Sequence, residues 1–266
     1  MSRLEVLLST MHQQNYKLVE TMNIDTDVLI INQGSYNKYE EYEEGRKKIR
    51  VISTDQRGLS RSRNQALLFA KGEICLIADD DIVYKQKYSE NILRAFDSLP
   101  DADIIVFNTS VINSVSGIKR KEIKKIRCAP KHRNYGSVRI AFKRESFLKN
   151  NLWFNVFFGA GSMFGAGEES LILREANKKG LKIYEHPVNI ADVDYSTSSW
   201  FEGYNEKYFY NKGAYLAAAY PILNILFKYY FVIKFYKHTN LDALTIIKYI
   251  NKGIMGYKNL IPFEKL

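Results

Sequence analysis

Cysteine is scarce in this 266-residue chain: only Cys75 and Cys128 occur. Two cysteines make no disulfide framework and no zinc ligand set. A reducing, cytoplasmic setting suits such a chain. Long apolar runs are missing as well. The opening "MSRLEVLLST" holds too short an apolar stretch for a secretory leader. The most apolar late segment, "AYLAAAYPILNILFKYYFVIKFYK", is interrupted by Pro221, Lys228 and Lys234, so it does not read as a spanning helix. No internal repeat or low-complexity tract appears.

What is present is a globular composition with a basic balance. Hydrophobic residues make up 46% of the chain and aromatic residues 14%, which excludes disorder and suffices for one large α/β core. The formal net charge is +10. That balance suits an anionic partner, whether nucleic acid, an acidic membrane surface or a phosphate-bearing ligand; surplus lysine on a solvated surface explains it equally well.

The first half alternates short apolar strands with helical pieces. Strands are expected at 4–9, 27–32, 49–53, 73–79 and 102–110, and helices at 15–23, 59–72 and 87–99. The stretch "YNKYEEYEEGRKK" (36–48) reads as a polar helix or loop. Nearly continuous apolar strands separated by helices predict a mostly parallel central sheet covered on both faces. Further on, 137–151 reads as strand then helix, 167–180 as a helix stopped by Gly180, and 181–187 as a strand ended by Pro187. Between them lies a basic segment with Lys119, Arg120, Lys121, Lys124, Lys125, Arg127, Lys131 and Arg133. It is either a solvated loop or an anion-facing flap. The division expected is a catalytic domain over 1–195 and a helical, aromatic-rich extension over 196–266.

Ligands of such sheets sit beyond the carboxyl ends of the strands, and "CLIADDDIVY" (75–84) puts three aspartates at one of those ends. If the strand persists, Asp79 and Asp81 point the same way and Asp80 the other. Two convergent carboxylates suit Mg²⁺ or Mn²⁺ completed by substrate phosphates and water. The plain alternative is an aspartate-rich solvated turn. The helix before this strand carries Arg57, Arg61 and Arg63 near its start, which suits a pyrophosphate. "FGAGSMFGAGEES" (158–170) is a glycine-rich lead into a helix. Its Glu168 or Glu169 is either a capping-region acid or a general base.

In this order, "VLLST", "DVLIINQGS", "GLSRSRNQALLFAKGEICLIADDD" and "GEESLILREANKKGLKIYEHP" resemble the family 2 glycosyltransferases of the GT-A fold, over about residues 3–190. Residues 58–81 look like the family's G-L-S-x-x-R-N helix, A-x-G-E strand entry and D-x-D. The later segment looks like its G-E-D-x-x-L-x-x-R. The resemblance implies an α/β GT-A fold with a Rossmann-like nucleotide-binding half, and a nucleotide-diphosphate-sugar donor. It implies Ser9 and Thr10 lining the nucleoside pocket, Asn32 near base or ribose, and Arg63 and Asn64 as the R-N pair. Asp79 would share the ribose and metal shell, Asp81 would ligate Mn²⁺ or Mg²⁺, and Arg57 and Asp80 belong to the donor-binding set. The base would be Glu169, with Glu168 as the neighbouring candidate, and the reaction a single inverting displacement. A late metal ligand is sought among His186, Asp192 and Asp194.

A glycan or lipid-linked glycan acceptor is expected, as in assembly of a cell-surface polysaccharide. The aromatic and lysine-bearing residues 200–236 read either as a packed appendage or as a surface for an anionic membrane, placing the enzyme at the inner face. A nucleotidyltransferase would need a glycine-rich donor signature near the N-terminus, and "LLSTMHQQN" has none. A nucleic-acid-binding role rests on charge alone, so no nucleic acid partner is expected. Asp81 and Glu169 together argue against a catalytically dead interaction module.

Overall fold

A computed structural model describes residues 3–113, 121–131, 133–194 and 203–265. Two compact units emerge, one of 1–57, 61–154 and 172–198, the other of Gly58–Ser60, Asn155–Leu171 and Ser199–Leu266. The second unit thus takes two segments that precede residue 196 by a wide margin. Residues 195 and 196 themselves, like Lys119, Arg120, Trp200 and Phe201, lie outside the described residues.

The first unit is built on one sheet. Its strands in chain order are β1 (Leu4–Met11), β2 (Asp27–Gln33), β3 (Lys38–Glu44), β4 (Lys47–Thr54), β5 (Ile74–Asp79), β6 (Ile82–Tyr84), β7 (Ile104–Asn113), β8 (Arg127–Cys128), β9 (Ile140–Lys143) and β10 (Ile183–Asp194). They lie in the order β3-β4-β2-β1-β5-β9-β7-β10-β6, with β8 on β10. The block β4-β2-β1-β5 is parallel throughout. Beyond it the sheet is mixed: β9 runs antiparallel to both β5 and β7, and β7 and β10 are again parallel.

Period-2 alternation divides the core between the two faces. Leu4, Val6 and Leu8 of β1 and Val28 and Ile30 of β2 share one cluster with Val19 of α1 (Leu18–Thr21) and Ile92 and Phe96 of α3 (Tyr88–Ser98). Leu7, Leu29, Ile31 and Ile77 turn the other way. They meet Leu67 of α2 (Leu59–Phe69), Phe147 of α4 (Arg144–Lys149) and Ile172 and Ala176 of α5 (Glu168–Lys178). At about 1.5–3 kcal/mol per buried aliphatic or aromatic side chain, these two layers dominate the stability of the unit.

Two elements depart from the sequence reading. Residues 36–48 are no helix: Lys38–Glu44 and Lys47–Thr54 form a hairpin across Gly45, whose φ is +63°. Its acids and bases face one another across the strands, Glu41 opposite Arg50, Glu43 opposite Lys48 and Glu44 opposite Lys47. Cross-strand charge pairing of this kind supports a strand that has little apolar patterning. The second departure is at Pro187, which does not end a strand. β10 continues to Asp194 through a register shift between Glu185 and Asn189, a bulge where proline's missing N–H is tolerated.

The basic segment after β7 is docked on the sheet where it is described. Glu185 of β10 is fully buried and accepts hydrogen bonds from Arg127 at 2.6 Å, from Tyr135 at 2.6 Å and from Arg133. Asn108 holds both the N–H and the C=O of buried Ile123. Two cations of the run therefore serve an internal carboxylate. Lys121, Lys124, Lys125 and Lys131 remain exposed.

The second unit is helical: α6 (Glu206–Ala219), α7 (Asn224–Phe235) and α8 (Ala243–Asn259). Phe209, Leu216, Val232, Ile246 and Ile250 form its core, and Tyr210 and Ala214 form another cluster with Phe158 and Phe164. α6 and α8 approach backbone to backbone through two glycines. A Cβ on Gly213 would stand 2.1 Å from the Ile250 carbonyl oxygen, and one on Gly253 1.9 Å from that of Tyr210. Among the described residues, no helix is long and apolar enough to cross a membrane.

Candidate active site

In the first unit the parallel strands change from apolar to polar at one level. Ser9 pairs with Asp79, Thr10 with Asn32, Asn32 with Ser53, and Gln33 with Thr54. All lie at the carboxyl ends, the edge at which open α/β sheets bind ligands. Arg57 reaches the same edge, donating to the Gln33 carbonyl at 3.2 Å and contacting His12 Nε2 at 3.4 Å. His12 holds a left-handed conformation, φ +57°, at the end of β1.

The three aspartates separate, and not by strand alternation. β5 ends at Asp79; Asp80 and Asp81 form the turn into β6. The Asp79 carboxylate takes hydrogen bonds from Arg63 Nη2 at 2.9 and 3.1 Å and from Ser137 Oγ at 3.2 Å. Arg63 itself is buried, bonded also to Ser137 and lying over the Phe154 ring at 5.7 Å. Asp79 is thus the charge partner of a buried guanidinium, an arrangement that disfavours a second cation on the same oxygens. Asp80 is exposed and accepts a hydrogen bond from Thr10 Oγ1. Asp81 is half-buried, and its carbonyl accepts the Asp194 N–H at 2.9 Å.

Three other expected donor contacts are engaged within the protein. Asn32 is buried, accepts the Gln13 N–H and donates to the Gln13 carbonyl, both at 3.0 Å. Asn64 does the same with Phe154, at 2.8 and 2.9 Å. Ser9 is buried and accepts from Ser62 at 2.8 Å. The two asparagines clamp loops at the sheet edge. Gln13, Ser62, Ser137 and Phe154 carry no motif that would have singled them out. Their partners lie 19 to 90 residues away in the chain.

Of the late metal candidates, Asp192 pairs with Lys85 at 2.6 Å. His186 lies at the β10 bulge against the Phe107 ring, where burial holds its pKa below the ordinary imidazole value. Asp194 is tied to Asp81 through its backbone. Among the described residues, no group of three or more His, Cys, Asp and Glu side chains gathers as a metal site. The carboxylates of Asp80 and Asp81 are hard oxygen donors. They fit Mg²⁺ or Mn²⁺ in the mode where one or two carboxylates are completed by phosphate and water.

In the second unit the glycine-rich segment shapes the entry to α5. Gly159 has φ +107°, and a Cβ there would lie 3.4 Å from the Glu168 carboxyl carbon. Ser60 Oγ donates to the Phe158 carbonyl at 2.7 Å and the Leu59 N–H to that of Ala160 at 2.9 Å, fixing the segment. Glu168 is buried and accepts the Gly167 N–H at 3.1 Å; Glu169 is half-buried. Lys212 of α6 is attracted to Glu169 and stands among the rings of Tyr208, Tyr215 and Phe231, at 5.5, 5.2 and 5.2 Å. Burial, with a smaller push from Lys234, brings its pKa down to about 8.

The model of the family described as Glycosyl transferase family 2 matches residues 4–172. The chain belongs to glycosyl transferase family 2. This family match takes in the parallel strands, the aspartate turn and the start of α5. Solved structures agree on the fold. S. aureus TarS 1–349 aligns with a TM-score of 0.61 at 11% identity, over 97% of this chain and 92% of that one. The same segment in complex with UDP-GlcNAc gives 0.62 at 13% identity, over 99% and 77%. In complex with UDP it gives 0.57 at 12%, over 97% and 71%. No curated protein matches the chain. The GT-A architecture implied by the motif order is the one this family 2 glycosyltransferase adopts.

Proposed function

We propose that the chain moves a hexosyl or N-acetylhexosaminyl group from a nucleotide-diphosphate sugar to a glycan hydroxyl by one inverting displacement. The observation that carries this reading is the aligned polar edge of β1, β2, β4 and β5, running into the Asp80–Asp81 turn, with Arg57 at the ends of β1 and β2. TarS, similar in fold, is described in complex with UDP-GlcNAc and UDP, which makes uridine diphosphate sugars the first donors to try. In this reading the nucleotide lies over the strand ends around Ser9, Thr10 and Asn32, and Arg57 supplies charge to the diphosphate. Asp81, with Asp80 beside it, would hold Mn²⁺ or Mg²⁺. A cation bound there offsets the negative charge that builds on the departing nucleoside diphosphate.

Arg63 and Asp79 act as a positioning pair: the buried ion pair fixes the end of β5 from which the aspartate turn departs. Asn32 and Asn64 fix the adjoining loops. Glu169 takes the proton from the acceptor hydroxyl. Glu168 is buried and Glu169 only half-buried, and that favours Glu169 for the role. The acceptor is a glycan or lipid-linked glycan precursor of a surface polysaccharide.

The test is transfer from a panel of nucleotide sugars with Mn²⁺ or Mg²⁺. Removing a general base typically costs about 10²–10⁴-fold, so Glu169→Gln is expected to fall by that much with little change in donor affinity. Asp81→Ala is expected to lose metal-dependent donor binding. Full activity in either variant removes that residue's role, and the anomeric proton signal of the product reports inversion.

A further inference from the structure

α7 is apolar on its solvent-facing side as well as in its core contacts, which is unusual for a helix at a surface. Its inner residues Phe227, Phe231, Val232 and Phe235 pack in the core of the second unit. Its outer side carries Ile225 at 60% exposure, Leu226 at 67%, Tyr230 at 54% and Ile233 at 79%, with Ile222 at 88% just before the helix. At about 100° per residue these outer positions cover an arc of about 140°. Lys234 falls on one flank, about 40° beyond Tyr230, whereas Lys228 lies on the inner half, half-buried and donating to Asn251 Oδ1 at 3.2 Å. The Lys228 ammonium lies over the Tyr229 ring at 5.0 Å and that of Lys234 over the Tyr230 ring at 5.7 Å. An apolar stripe edged by a lysine whose ammonium lies over an aromatic ring fits a helix lying in a bilayer interface.

Charge selects the occupant. Residues 207–263 contain eight lysines, no arginine, and a single acid, Asp242. Asp242 is engaged as the N-cap of α8, accepting the N–H groups of Leu244 and Thr245. A second copy of this chain, brought symmetrically onto the same stripe, would bring two lysine-bearing helices together with no carboxylate on either. An anionic lipid surface meets the same stripe with opposite charge and an apolar interior.

We infer that the outer face of α7 docks on an anionic lipid bilayer, with Ile225, Leu226, Tyr230 and Ile233 entering the acyl boundary and Lys234 at the headgroups. The surface stands independently of the donor chemistry and is read without any transfer reaction. The experiment is co-sedimentation of the full chain with phosphatidylcholine vesicles, with and without about one-third phosphatidylglycerol, at low and high salt. Binding to the anionic vesicles is expected, at least tenfold weaker on pure phosphatidylcholine and weakened severalfold by high salt. Ile225→Asp with Ile233→Asp is expected to abolish binding, and Lys234→Glu to reduce it severalfold. Unchanged melting curves would show that these exposed substitutions leave the fold intact. Absence of binding to anionic vesicles overturns the inference. So does a concentration-dependent dimer in solution that Ile233→Asp dissolves, since the stripe would then belong to a second copy.

Discussion

Lys212 is the residue whose charge state the second unit controls most directly. Burial disfavours its ammonium, Lys234 adds repulsion, and Glu169 opposes both. Its folded pKa of about 8 lies below the ordinary 10.5. The folded state therefore binds fewer protons than the unfolded state between those values, and stability rises with pH across that window. Below pH about 8 the cost of the buried charge is fully present. Lys212→Met is expected to raise the melting temperature at pH 7, with most of the gain gone by pH 10.5; melting curves at both pH values check it. At this scale the polar strand ends were legible in the sequence, because each apolar run stops at a polar residue. The partners of Asn32, Asn64 and Asp79 were not. The partner groups belong to segments 16 to 90 residues distant, two of them backbone groups that any side chain would supply. The expected convergence of Asp79 and Asp81 required a strand continuing past Asp79, whereas the chain turns there.

Among the elements, the crossing of α6 and α8 sets two tendencies against each other. Replacing a mid-helix glycine by alanine favours the helix by about 1 kcal/mol. At Gly253 the added methyl would stand 1.9 Å from a backbone carbonyl oxygen, and no rotamer relieves a Cβ contact. Overpacking of a close contact costs about 1–3 kcal/mol or more, so Gly253→Ala is expected to destabilise. Denaturant unfolding reads the sign: a gain in stability would show that the helices are not in contact at this point. The parallel strands and most helices could be read from apolar periodicity. The hairpin Lys38–Glu44 and Lys47–Thr54 could not, since its first strand has no apolar face. Its signal is electrostatic, acids before Gly45 mirrored by bases after it, and period-based reading does not register charge. Pro187 misled for a related reason, because a bulge spares proline the ladder hydrogen bond it cannot make.

At the level of the molecule, the chain does not divide where its composition changes. An aromatic, lysine-bearing composition after residue 195 suggested a separate extension. Phe158 and Phe164, far earlier, are nevertheless fully buried with Tyr210 and Ala214. A chain cut to 1–195 keeps the two phenylalanines and loses their cover. At about 1.5–3 kcal/mol for each side chain returned to water, the segment Asn155–Leu171 is expected to open. Strong binding of anilinonaphthalene sulfonate by the 1–195 piece, absent from the full chain, checks this. A piece that stays dark and melts cooperatively would show that the segment holds without α6. The sequence marks this extension as helical and aromatic-rich without bounding its helices, and nothing local tells that their core partners lie about 50 residues upstream.

The asparagine clamps have a consequence for how such a protein changes over generations. Asn32 holds the Gln13 backbone and Asn64 the Phe154 backbone, so the shape of each loop depends on one distant amide. The other side chains in those loops are released from the task of holding it. Substitutions there can alter what the site prefers while the main chain keeps its course, whereas a change at Asn32 or Asn64 alters the frame itself. Diversity of substrate can accumulate around two nearly silent positions.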